Sequence, residues 1–357
     1  MSRIIFCLTA ALTLTGTVVR GDDRVVTVET PHAGQPAAAK TDAAGKIHLL
    51  FHSEMGPRYV SSQDSGKTFS KPLAVIDPQS QQPGLEFTVW DMAVDRSGRV
   101  HVALGTNAWQ LKLPQEQWGF FYTRLDPKAS AFTAIRNINH KPSEGFSLAV
   151  GEDGHVTACW MADKLYANVS KDHGRTFAPY IEIDPALDPC NCCTTSATYA
   201  ADGRLAVLYR EETNNERDMY LALWNQTTGA VSRIRVSKTP WKIDACPMSY
   251  YQISRVDNGF TVVWPTKGQV YFARLDVKGK PLSPVEIKTP GTTDTRTGML
   301  ALTAADGTLV AWKKAGQLNW QLYDQKGRAS GLQGSAPSAG KGVAGVVTKD
   351  GRFVLFL

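Results

Sequence analysis

The sequence has no run of Lys or Arg longer than two, although its 39 basic and 33 acidic residues leave a formal charge of +6. Basic residues scattered in this way do not form the patch that nucleic acid or an anionic membrane surface requires. No apolar run after residue 21 reaches the length of a membrane span. No stretch keeps a 3.6-residue apolar period, which excludes a helical fold. Disorder is excluded too, since 43% of the 357 residues are hydrophobic. Length alone leaves one domain or two open.

The first twenty-one residues read as a Sec-type export signal. Arg3 gives a positive start, Ile4 to Val19 is uncharged and mostly apolar, and Val19 and Gly21 fit the small-residue positions before a cut. Cys7 lacks the small-residue lipobox of a lipid anchor. An uncleaved anchor is the alternative. With the signal removed, residues 22–357 form the mature chain, secreted or periplasmic, where disulfides persist.

Seven short strand–turn–strand units then recur, with turn glycines at Gly45, Gly98, Gly154, Gly203, Gly259, Gly307 and Gly351. Asp or Asn beside a glycine tolerates the backbone of a tight hairpin. A second series of turns alternates with them, at Asp64, Asp126, Asp172, Asn225, Asp276 and Asp324. Two alternating series make each unit a four-stranded meander of about 50 residues, the repeat of a β-propeller. Six units run from about Gln35 to Ser338, and a seventh hairpin from Gly342 to Leu357. The early strand Arg24 to Thr30 is free to pair with that last hairpin and close the ring, which favours seven blades over six.

Two turns of the second series, Ser62-Gln-Asp64-Ser-Gly66-Lys-Thr68-Phe69 and Ser170-Lys-Asp172-His-Gly174-Arg-Thr176-Phe177, match S-x-D-x-G-x-T-F at every fixed position. This is the Asp-box, and the chain resembles the sialidase-like (BNR/Asp-box) propeller superfamily. The resemblance implies an all-β single propeller of four-stranded antiparallel blades. The box itself is a turn device, so Asp64 and Asp172 are expected to be structural.

With both turn series at the bottom, the remaining loops open together at the top, where propellers bind ligands. That face gathers Arg58, Trp90, Asp91, Trp109, Trp118, the charged run from Arg210 to Asp218, Trp241 and Arg296. It also gathers Cys190, Cys192, Cys193 and Cys246, which enter equivalent strands of adjacent blades and are expected close together. One or two disulfides among these four, including a vicinal Cys192–Cys193 bridge, is one reading. A thiolate site for copper or another thiophilic metal, with Met248 as a soft ligand, is the other. Cys159 is the expected free thiol.

Sialidases of the resembled superfamily clamp a sugar carboxylate with three arginines and use a Tyr nucleophile, a Glu partner and an Asp acid. The resemblance offers Arg210, Arg217 and Arg296 as clamps, Glu211 or Glu212 as partner, Tyr250 or Tyr251 as nucleophile, and Asp91 as acid. The Arg-Ile-Pro motif that carries the family's first arginine is absent. The expectation is a ligand, foremost a glycan, bound on the top face by Arg58, Trp90, Trp109, Trp118 and Trp241. An exo-sialidase and a cysteine-based metal or redox protein are the alternatives.

Overall fold

The computed structural model describes residues 18–20, 24–77 and 82–357. Most of the expected signal therefore lies outside the described residues. The described chain forms seven sheets of four strands, with only single turns of 3-10 helix at Pro31–Ala33 and Gln115–Gln117. No described helix is long and apolar enough to cross a membrane.

Six blades are sequential antiparallel meanders. Their first strands are Gln35–Thr41, Phe87–Val94, Glu144–Val150, Ser196–Tyr199, Gln252–Val256 and Met299–Ala304, and Ala344–Val347 is the first strand of the seventh. These strands pack against one another around the central axis. The second strands are the most deeply buried: Val156–Met161, Leu205–Arg210 and Gly259–Thr266 are buried at every residue. Burial on both faces is why they read as continuous apolar runs instead of alternating ones.

The seventh blade closes the ring. Val25–Val28 pairs in parallel with the C-terminal strand Phe353–Phe356, from Val25 opposite Phe353 to Val28 opposite Phe356. Val18–Arg20 adds the outermost strand on Val25–Val28. A cut after Gly21 would remove that outer strand and leave the closing pair in place.

Turns of both series share one device: in them a side-chain carboxylate or amide accepts backbone N–H groups two to four residues ahead. Asp64 Oδ1 accepts from Thr68 N at 2.9 Å, its Oδ2 from the Thr68 hydroxyl at 2.6 Å, and Asp172 repeats both bonds with Thr176. Asp276 and Asp324 cap their turns through N–H groups two and four residues on. The structural role expected for Asp64 and Asp172 is the one seen. Gly307 departs from the expected left-handed turn glycine. It begins its strand directly after a two-residue turn, and a Cβ there would lie 2.2 Å from the Tyr323 carbonyl oxygen, so close approach and not φ requires glycine.

Buried Asp–His–Tyr chains support the first two blades from below. His48 lies between Asp42 (3.4 Å) and the Tyr59 hydroxyl (2.8 Å). His101 lies between Asp95 (3.6 Å) and the Tyr122 hydroxyl (2.6 Å). Burial pushes the Asp95 carboxyl up, but bonds from His101, Ser97 and Arg99 outweigh it and hold Asp95 far below the usual range. Its stabilising bonds are therefore complete above the unfolded carboxylate value near pH 4 and are lost as pH falls below it. Asp95→Asn should lower the melting temperature at pH 7 and flatten its decline between about pH 4 and pH 2. Melting curves as steep as the parent's across that window would remove Asp95 from the acid-labile groups.

Candidate functional site

Because blades radiate from the axis, neighbouring first strands are too far apart to form a ladder, and their N–H groups need side-chain partners. Asp91 of blade two accepts Leu148 N of blade three at 2.9 Å. Ser196 accepts Ile253 N at 3.1 Å, and Gln252 accepts Ala301 N at 3.0 Å, one blade further each time. Asp91 thus occupies a blade-bridging position. Its other oxygen accepts Met92 N at 2.8 Å, and burial raises its carboxyl above the ordinary value.

Two adjoining compartments of about 600 and 560 Å³, the first lined in part by Asp91, Ser196 and Gln252, share Trp90, Phe146, Thr194, Tyr250 and Arg296 on their walls. Together they make one cleft on the face expected from the loop sorting. Trp90 enters it through a β-bulge: Val89 pairs with Leu104 and Asp91 with Ala103, which leaves Trp90 as the extra residue and re-aims its ring. The ring packs edge-on to Phe146 at 5.3 Å and tilts toward Tyr250 at 6.1 Å. Gly105 opens the space for it, since a Cβ there would lie 2.3 Å from the Trp90 Nε1.

The opposite wall is built from non-glycine residues in left-handed backbone. Met248 has φ 43° and Arg296 φ 58°, and Arg296 N donates to Met248 O at 3.2 Å. Such conformations cost free energy and persist only where surrounding structure imposes them. Burial raises the Tyr250 hydroxyl, with Arg296 pulling it down and Glu144 pushing it up. The protein around Glu144 raises its carboxyl and Arg296 partly offsets this. Tyr250, Glu144 and Arg296 are therefore electrostatically coupled on one wall. The loop at the cleft's far end is held by Lys313, whose buried ammonium donates to the Ser338, Ala339 and Gly340 carbonyls at 2.9, 2.6 and 3.1 Å. Burial lowers its pKa to about 8.

The other arginines are committed elsewhere. Arg210 is fully buried, donates to Ser249 Oγ at 3.1 Å and Pro265 O at 2.6 Å, and stacks 4.8 Å over Trp241. Trp241 is therefore packing and not a platform. Arg217 donates to the Cys190 sulfur at 3.0 Å and to Ile243 O at 3.3 Å, with Glu212 at 4.0 Å. Glu211 is buried in an ion pair with Arg233. The Tyr251 hydroxyl donates to Thr194 O, accepts Arg210 N at 3.0 Å, and is pushed well above its ordinary value by burial. Arg58 lies on the third strand of blade one, donates to Met55 O at 3.3 Å and does not line the cleft. Trp109 is 61% exposed on the cleft wall, and Trp118 lines it with its Nε1 donating to Leu113 O at 2.9 Å.

The cysteines do converge. Cys192 and Cys246 form a disulfide with Cα atoms 6.3 Å apart, tying the loop entering blade four to the loop entering blade five. The vicinal Cys192–Cys193 bridge is not formed, and Cys190 and Cys193 remain thiols, as does Cys159. The backbone turn from Cys190 to Cys193, closed by Cys193 N on Cys190 O at 3.0 Å, turns those two sulfurs toward each other at 3.3 Å. The contact with Cys193, reinforced by burial, pushes Cys190 far up. Burial also pushes Cys193 up, but its bond with Cys190 and the Arg210 charge outweigh that, so Cys193 lies below the ordinary thiol range. The sulfur pair thus lies beside two guanidinium groups, Arg217 at Cys190 and Arg210 near Cys193.

No family model matches the chain, and no curated protein sequence does. Solved structures share its fold. A protein from Lactobacillus plantarum aligns with TM-score 0.55 at 13% identity, over 96% of this chain and 98% of that one. A polysaccharide lyase described as an ulvan lyase gives 0.54 at 11%, over 88% and 87%. A protein from Dyadobacter fermentans gives 0.53 at 12%, over 90% and 97%. At such identities the likeness is one of fold: the chain is a seven-bladed β-propeller.

Sequence reasoning missed Glu144, Phe146 and Thr194. All three lie at or beside the start of a first strand, a position that the repeat alignment could have marked. Bridging the 54-residue separation of Cys192 and Cys246 contributes about 4 kcal/mol on the loop-entropy relation. Peptide mapping after alkylation without reductant should recover Cys192 joined to Cys246 and label Cys159, Cys190 and Cys193. Cys246→Ser should lower the melting temperature by several degrees; an unchanged melting curve would show that the two loops are held without the bridge.

Proposed function

We propose that this chain is a sialidase-like propeller that binds an acidic glycan in the top-face cleft. The observation that carries the reading is the lining of the cleft, with Trp90, Tyr250 and Arg296 facing both compartments and Trp109 and Trp118 on the second. Flat aromatic faces suit the apolar faces of sugar rings. Arg296 is the guanidinium of the expected clamp set that lines the cleft, and a guanidinium fork matches a sugar carboxylate. The Asp-box turns and the full propeller architecture support the sialidase-like assignment. Among structures of the same fold, the ulvan lyase is a polysaccharide-active protein.

Binding is favoured over hydrolysis because Arg210, Arg217 and Glu211 are engaged by protein partners. Hydrolysis is the second reading, and one specific observation favours it. Tyr250 stands within the fields of Glu144 and Arg296, the residue types of a Tyr nucleophile, its Glu partner and a carboxylate clamp.

Calorimetric titration with sialyl- and uronate-containing oligosaccharides tests the proposal. Trp109→Ala and Arg296→Gln are each expected to weaken binding by about tenfold or more, at 1–2 kcal/mol per lost contact. Affinity for neutral and acidic glycans alike, unaffected by Arg296→Gln, would overturn the acidic-sugar assignment. Turnover of a fluorogenic sialoside that disappears in Tyr250→Phe would replace binding by hydrolysis.

A further inference from the structure

We propose that Cys190 and Cys193 form a binding site for a soft monovalent metal ion, copper(I), at the inner wall of the cleft. The proposal is independent of glycan binding and rests on a different set of residues.

The geometry comes first. The Cys190, Cys192 and Cys193 sulfurs all lie within 4.8 Å of one another, and this group contains no His or carboxylate ligand atom among the described residues. Cys192 is already bonded to Cys246, so the donors left are Cys190 and Cys193, 3.3 Å apart. Both backbones are fixed. Cys190 N donates to Arg210 O at 2.7 Å, and the disulfide holds Cys192, one of the two residues between them in the turn. Cys193 and Met248 both line the cleft. The cleft supplies an entry path to an otherwise buried sulfur pair.

The charge balance selects the ion. Two thiolates and a monovalent cation leave one net negative charge. Arg217 meets it directly, with its Nη1 3.0 Å from the Cys190 sulfur. Arg210 meets it through Ser249: its Nε donates to Ser249 Oγ at 3.1 Å, which leaves the Ser249 hydroxyl proton for the Cys193 sulfur at 3.7 Å. Thiolate and thioether donors are soft and select Cu(I), which is content with two or three such ligands. Structural zinc requires four ligands in a closed tetrahedron, and the disulfide withholds the further thiolates that would complete one. Binding releases the thiol protons to solvent and leaves the Cys192–Cys246 bond intact.

Anaerobic titration of the full chain with Cu(I), in competition with bicinchoninate, tests the site. We expect one Cu(I) per chain to be withdrawn from the chelator, with X-ray absorption of the loaded protein showing a sulfur-only shell. Cys190→Ser and Cys193→Ser should each abolish capture, Cys159→Ser should leave it unchanged, and Arg217→Gln should weaken it about tenfold. If either serine variant fails to fold, the parent's stoichiometry and absorption spectrum still decide. No capture by the parent, a nitrogen or oxygen shell, or undiminished capture by a folded Cys193→Ser would overturn the site. Equal capture of Zn(II) would overturn the choice of ion.

Discussion

Every blade buries its faces only against its two neighbours, so the structure depends on the ring being closed. Closure rests on one four-residue pairing, Val25–Val28 alongside Phe353–Phe356. The pairing is parallel, joins the two ends of the described chain, and buries Val28, Phe356 and Leu355 almost completely. Without it, the first and last blades would each expose an apolar face and an unpaired edge. The same radial geometry that demands closure also leaves gaps between first strands at the axis. Side chains such as Asp91, Ser196 and Gln252 fill these by bonding the next blade's backbone.

The cleft follows from those constraints. Turn chemistry occupies the bottom face, where capping carboxylates leave little freedom to vary. The top loops have no such repeated requirement, and they hold the irregular features: the Trp90 bulge, the left-handed Met248 and Arg296, and the disulfide between blades four and five. Lys313 and the disulfide tie two stretches of the rim, one between blades six and seven and one between blades four and five. Arg210 links the sulfur cluster to this frame. Its guanidinium joins Ser249, Pro265 and the Trp241 face, so a residue offered as a ligand clamp is instead part of the wall's support.

Much of this was legible in the chain. Seven hairpins with Asp/Asn-Gly turns, and a second series between them, define the blades because turn chemistry is local: where a carboxylate caps the turn, it accepts N–H groups two to four residues away. The closing strand was legible because Arg24–Thr30 had no hairpin partner of its own. The cysteine adjacency was legible from equivalent positions in neighbouring blades, but the pairing was not. Whether Cys192 meets Cys193 or Cys246 depends on the directions taken by two loops, and no local spacing encodes these. Trp90, Trp109 and Trp118 reach the cleft while Trp241 lies under Arg210, for the same reason.

The sequence by itself determined the blade repeat, the ring and the face that carries irregular residues, since these follow from turn propensities and apolar strands that act over a few residues. Only the tertiary structure decided which charged groups are available. Arg210, Arg217, Glu211 and Arg296 look alike along the chain, yet three are engaged by partners that lie far from them in sequence or across a loop. The fourth lines the cleft. A charged side chain's role is set by what surrounds it, because burial drives most polar groups to find a partner. Those partners come from other strands and loops of the fold.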